Sequence, residues 1–214
     1  MYTYLFNFDG TLVDSMPVYA SMMLDILAEY GVPHEKDIIK VITPLGYKKT
    51  AELFAAMGLP LPASEIEAIM NARAVEAYTH RVEAKAHVID ALAWLKARGD
   101  SLNVLTASPH AMLDPCLRRL GIYDWFDHVW SCDDFAATKA DPEIYRLAAQ
   151  RIGQMVSSVW FLDDNPGADR TAKAAGMRVC GVYDDSSAEY EQEMRSVCDA
   201  YLSDFSQIGM LDAL

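Results

Sequence analysis

Residues 2 to 15 constrain this chain more than any other stretch. Tyr2 to Phe8 is aromatic and apolar, the composition of a short buried strand. The run stops at Asp9-Gly10, where glycine permits a turn that other residues resist. Two short polar side chains, Asn7 and Asp9, are therefore expected at the C-terminal end of a buried strand. In open α/β sheets that end is where ligands bind.

Beyond Ser15 the period changes. Met16-Pro17 opens a helical pattern that closes at Tyr30-Gly31, with proline in the first turn and glycine just past the end. Further helices are expected near 35–41, 47–57 and 64–79, and no strand-like alternation occurs between Ser15 and Arg81. From Val88 onward helices and short apolar strands alternate. The helices are expected at 88–98, 109–120, 141–152 and 167–175, and the strands at 102–106, 128–131, 158–162 and 178–182, with one or two helices after Glu189. Such alternation predicts βαβ units and a parallel sheet. The expected organisation is an α/β core from residues 1–15 and 81–214 and an all-helical domain from 16–80, set over the C-terminal edge of the sheet.

Composition narrows the partners. The 214 residues are 52% hydrophobic, enough for a sizeable core, and carry a formal net charge of −13. That charge argues against nucleic acid and anionic membrane surfaces. The four cysteines lack metal-binding spacing and suit buried positions in a reducing compartment. With no leader-like start and no apolar run long enough to span a bilayer, a soluble cytoplasmic protein is expected, as a monomer or weak homodimer.

Four polar clusters fall at the ends of predicted strands: Asn7/Asp9, Thr106/Ser108, Lys139 and Asp163/Asp164. Parallel strands place these ends on one edge, so the clusters can converge. Adjacent carboxylates at 163 and 164 repel each other, and a hard cation such as Mg²⁺ is a natural relief. A hydroxyl and backbone N–H groups at Thr106-Ala107-Ser108, before a helix start, suit an anion, and Ser108 is also expected to cap that helix.

In order and spacing these clusters resemble the four signatures of the haloacid dehalogenase-like phosphatases, in the phosphoglycolate phosphatase and β-phosphoglucomutase branch. The first signature, a hydrophobic strand followed by Asp-x-Asp-Gly-Thr-(Leu/Val)-x-Asp-Ser, is matched from Asp9 to Ser15, and the fourth is similar to Asp163-Asp164 with its following helix. The resemblance implies a three-layer Rossmann-like core with an inserted helical cap and Mg²⁺-dependent hydrolysis of a small phosphate monoester through an aspartyl-phosphate at position 7. It implies that Asp9 is general acid and base and lends its carbonyl to the metal. It further implies that Thr106 and Lys139 steady the phosphate, with Gly10, Ala107 and Ser108 lining its site, that Asp164 ligates the metal directly and that Asp163 does so through water. Lys48 and Lys49, in a stretch similar to the family's cap loop, could meet the substrate. Asp169 is expected to start a helix or support the ligands.

The departures matter. Ala107 stands where the family usually has Asn or Ser, and Ala140 replaces the first proline of Lys-Pro-x-Pro. Above all, Asn7 stands where the nucleophilic aspartate belongs. A carboxamide is too poor a nucleophile to form the acyl phosphate, although its oxygen could ligate Mg²⁺. Drift erodes several site residues together, whereas here the rest is intact, which points to an inactivated variant of a phosphatase. The alternatives are a non-catalytic protein that binds a phosphorylated metabolite and a β-phosphoglucomutase-like phosphotransferase; a dehalogenase is disfavoured by the acidic pair.

Overall fold

The computed structural model describes residues 1–214, the side chain of Pro44 excepted. It contains two compact units, Ser15–Val82 and the combination of Met1–Asp14 with Glu83–Leu214.

The Ser15–Val82 unit is helical: α1 (Met16–Glu29), α2 (Ile38–Ile42), α3 (Gly46–Ala56) and α4 (Ala63–His80). Proline at the start of α1 fits a helix N-terminus, where an N–H would lack a partner anyway. Gly31, with φ of +64°, lets the chain leave α1 in the left-handed region. On α4 the buried residues Ile66, Met70, Ala74, Ala77 and Tyr78 recur at helical spacing and form one face. An Arg73–Glu29 ion pair joins α4 to α1. α2 begins at Ile38, later than the sequence pattern indicates, because residues 35–37 form a turn in which Glu35 O accepts the Ile38 N–H.

The larger unit holds the sheet: β1 (Thr3–Phe6), β2 (Ser101–Thr106), β3 (His128–Ser131), β4 (Val159–Asp163), β5 (Arg178–Val182) and β6 (Ala200–Leu202). Its helices are α5 (Val88–Ala97), α6 (His110–Arg119), α7 (Pro142–Ile152), α8 (Pro166–Ala175) and α9 (Glu191–Val197). Strand order is β3-β2-β1-β4-β5-β6, and every neighbouring pair is parallel. The chain thus builds outward from β1 through β2 to β3, then returns to β4 and builds the other way. Right-handed crossovers place α5 and α6 on one face and α7, α8 and α9 on the other. β1 shows the period of two that this needs. Leu5 packs into a core with Ile144, Tyr145, Phe161 and Ala172, while Tyr4 and Phe6, 5.8 Å apart and stacked, point the other way, Phe6 toward Phe126 and Phe205.

The strand expected at 158–162 ends one residue later, taking in Asp163. β6 is absent from the sequence-based expectation, which places only helices after Glu189. Three residues, Ala200-Tyr201-Leu202, are too few to show a period, and their strand character comes from pairing with β5.

Candidate active site

The reversal of strand order between β1 and β4 opens a crevice at their C-terminal ends, the position where α/β sheets bind ligands. β1 stops at Phe6, and the Asn7 N–H donates to Leu162 O on β4 at 2.8 Å. The backbone then folds into a tight loop. The Leu12 N–H donates to Phe8 O at 2.8 Å and the Gly10 N–H to Val13 O at 3.0 Å. Gly10 sits at φ +69°, and a Cβ there would meet three carboxyl atoms of Asp164 inside 3.0 Å. Only glycine fits on both counts.

The four expected clusters converge here. Lys139 Nζ donates to Asn7 Oδ1 at 2.9 Å and to Asp163 Oδ2 at 2.6 Å. Asn7 Nδ2 donates to the Asp9 carbonyl at 2.7 Å and to Asp164 Oδ1 at 3.1 Å, with Thr11 Oγ1 at 3.4 Å. The Thr11 hydroxyl donates to the same Asp164 oxygen at 2.8 Å. On the β2 side, Ser108 Oγ donates to Asp9 Oδ2 at 2.5 Å, and the Ser108 N–H donates to Thr106 Oγ1 at 3.1 Å.

The electrostatics follow from this crowding. Burial and then the charge of Asp163 push Asp164 up to about 7, against the pull of Lys139 and the Thr11 hydroxyl. Burial opposes the ammonium of Lys139, but the charge and hydrogen bond of Asp163 outweigh it and hold Lys139 above its ordinary value. A permanently cationic lysine in this crevice offsets locally the acidic surface of the whole chain.

Two expected roles are corrected and a third is refined. Ser108 does not cap α6: Pro109 is the N-cap and makes no side-chain cap bond, because the serine hydroxyl is committed to Asp9. Asp169 lies in the first turn of α8, as expected of a helix-start residue, but it is not the cap. Asn165 caps α8 by accepting from the Gly167 and Ala168 N–H groups, and the fully buried Asp169 accepts from the Cys198 thiol. Asn7 presents N–H, not oxygen, to the Asp9 carbonyl and Asp164, the oxygens expected to bind a cation. The donor set as it stands therefore does not fit a divalent cation with Asn7 as ligand. Lys48 and Lys49 are exposed on α3 in the other unit.

Two contributors had no role assigned from the sequence. Thr11 lies inside the first signature, and its hydroxyl's approach to Asp164 depends on the loop geometry. Lys85 donates to Gly10 O at 2.7 Å, Tyr183 O at 2.6 Å and Asp184 Oδ2 at 2.7 Å. It ties the loop after β1 to the loop after β5. Its partners are 75 to 99 residues away, so no local pattern marks it.

The chain belongs to the haloacid dehalogenase-like hydrolases, whose family pattern matches residues 4–182. Among curated relatives, it is 31% identical over 201 residues to the phosphoglycolate phosphatase of Salmonella choleraesuis, covering 83% of this chain and 79% of that protein. It is 25% identical over 180 residues to the phosphorylated carbohydrates phosphatase of Thermotoga maritima, covering 83% of each. Among solved structures, CbbY from Rhodobacter sphaeroides, as an Asp-to-Asn variant with xylulose-(1,5)bisphosphate, aligns with a TM-score of 0.77 at 23% identity, over 98% of this chain and 96% of that one. That likeness confirms the fold.

Proposed function

We propose that this chain carries the site of a phosphatase for small phosphate monoesters, with Asn7 in the nucleophile's place. The observation that carries this reading is the bridge Asn7 Oδ1–Lys139 Nζ–Asp163 Oδ2 beside the Ser108–Asp9 pair. These contacts bring together the residue-7 side chain, the Lys139 ammonium and the Asp9 carboxyl, the group we assign as acid and base. Phosphatase names among the relatives support the same reading, and phosphoglycolate or a sugar phosphate is the substrate class we favour.

With aspartate at position 7, a carboxylate oxygen would attack phosphorus as the ester P–O bond breaks, and the leaving oxygen would take a proton from Asp9. Asp9 would then take a proton from water as that water attacks phosphorus and the bond from the aspartyl oxygen to phosphorus breaks, freeing inorganic phosphate and the carboxylate at position 7. Ser108 would hold the Asp9 carboxyl in position, Lys139 would neutralise charge building on the phosphoryl oxygens, and the Thr106 turn would bind them. Mg²⁺ belongs, in this reading, to the aspartate form. The helical unit would act as the cap, with Lys48 and Lys49 candidates for the substrate's remaining groups.

As written, the chain would bind a phosphate ester without turning it over. The test is steady-state hydrolysis of an aryl phosphate with Mg²⁺, comparing this protein with Asn7→Asp. The substitution should raise the rate by several orders of magnitude, as roughly 10⁴ to 10⁶ separates enzymes with and without a covalent nucleophile. If Asn7→Asp is equally inert across a panel of small phosphates, the hydrolase reading falls and a phosphometabolite-binding protein replaces it.

A further inference from the structure

We infer that in this chain the carboxamide of Asn7 takes the place of the divalent cation, so that the crevice binds a phosphate-type anion with no metal. The inference rests on the phosphate-site reading above and concerns what completes that site.

Asn7 Nδ2 lies 2.7 Å from the Asp9 carbonyl oxygen and 3.1 Å from Asp164 Oδ1. These two oxygens, with Thr11 Oγ1 behind them, converge on one point, and the nitrogen is at that point. Put an oxygen there instead, as aspartate would in the same rotamer, and a carboxylate oxygen faces a carbonyl oxygen and a second carboxylate at hydrogen-bond range. The Thr11 hydroxyl cannot mediate between them, because it already donates to Asp164. A cation relieves that arrangement. The carboxamide relieves it with N–H donors and removes one negative charge from a cluster that still holds Asp9, Asp163 and Asp164.

The amide cannot exchange its ends. Lys139 Nζ holds Oδ1 at 2.9 Å and is itself anchored on Asp163 at 2.6 Å. A half-turn of the carboxamide would bring NH₂ against the ammonium, donor against donor, and would leave Asp164 facing an oxygen. The polar end of Asn7 is thus satisfied on both sides in one orientation, and a cation entering the site would have to break each of those bonds. Meanwhile the groups expected to hold an anion, Lys139 and the Thr106–Ser108 turn, do not depend on a metal for their placement.

The experiment has two arms. Mn²⁺ alone, a hard cation with an electron-spin signal, is titrated into this protein, Asn7→Asp and Asn7→Ala. Inorganic phosphate is titrated calorimetrically into the same proteins with EDTA and with Mg²⁺. Expected are at least about tenfold weaker Mn²⁺ binding to the Asn7 protein than to either variant, and a phosphate Kd of the Asn7 protein that shifts less than about twofold with Mg²⁺. Asn7→Ala opens the cation position without adding charge, so it separates occupancy from electrostatics and serves if Asn7→Asp fails to fold. Mn²⁺ binding to the Asn7 protein as tight as to the variants overturns the inference, and so does phosphate binding that requires Mg²⁺. If phosphate binds none of the proteins, the anion-site reading fails, while the Mn²⁺ arm still decides whether Asn7 displaces the cation.

Discussion

Gly10 and Asp169 show how much a single position can carry. Gly10 is pressed against Asp164 and held at positive φ, so Gly10→Ala combines backbone strain with a clash on a site carboxylate. We expect a loss of roughly 2–3 kcal/mol in urea unfolding; a loss below about 0.5 kcal/mol would show that the loop relaxes. Asp169 is fully buried, its Oδ2 accepting from Cys198 and its Oδ1 without a hydrogen-bond partner among the described residues. Burial and then the charge of Asp163 push its carboxyl up to about 8. A group whose folded pKa is raised binds more protons folded than unfolded. Its contribution is therefore full below the unfolded value of about 3.9 and is lost as pH rises through about 8. Asp169→Asn removes that loss. Its urea midpoint should exceed that of the parent at pH 9 and approach it at pH 5; a pH-independent difference would contradict the assignment.

At the scale of elements, loops that carry the site are tied together by side chains from elsewhere. Lys85, largely buried, joins the Gly10 carbonyl to Tyr183 and Asp184. Lys85→Met would strand the buried Asp184 carboxylate and untie the β1 loop, a cost of about 3 kcal/mol. Adding Asp184→Leu should recover part of it, and a double variant no more stable than Lys85→Met would refute the pairing. His110 makes a similar link between α6 and the 3₁₀ turn at Cys132–Phe135, with Nδ1 on Asp114 at 2.9 Å and Nε2 on Asp134 at 2.8 Å. The hydrogen bond that His110 donates to Asp114 raises its pKa most, over the opposing effect of burial, with Asp134 adding to the rise. The raised folded value means the link is fully present below about 6.5 and lost as pH climbs above that. Thermal melts should show the parent losing its advantage over His110→Gln between mildly acidic and alkaline pH. A constant gap would mean that the ring contributes by packing alone.

For the whole molecule, the charge of −13 repels the anion proposed to bind in the crevice. Lys139 acts at contact distance, whereas the surface field acts over a Debye length of about 8 Å at physiological salt. Raising ionic strength should therefore speed the association of inorganic phosphate, the reverse of a cationic protein's behaviour. A stopped-flow rate that falls with added salt would show that the local field of the crevice outweighs the surface. Among the described residues no helix is long and apolar enough to cross a membrane.

Local pattern determined much of this protein. Strand and helix periods, glycine and proline punctuation and the position of each polar cluster at a strand end are properties of a few consecutive residues, and β3 and β5 match the expected spans residue for residue. The motif around Asp9 and the pair Asp163-Asp164 were legible for the same reason. Tertiary structure alone decided what depends on partners distant in the chain. It set β6, a strand only because β5 is beside it. It set the burial of Asp169, the commitment of Ser108 to Asp9 rather than to a helix cap, and the recruitment of Lys85. It also set the direction in which the Asn7 carboxamide points. An amide's two ends are equivalent in sequence, and only the ammonium of Lys139 on one side and the oxygens of Asp9 and Asp164 on the other make one orientation satisfied and the other repulsive.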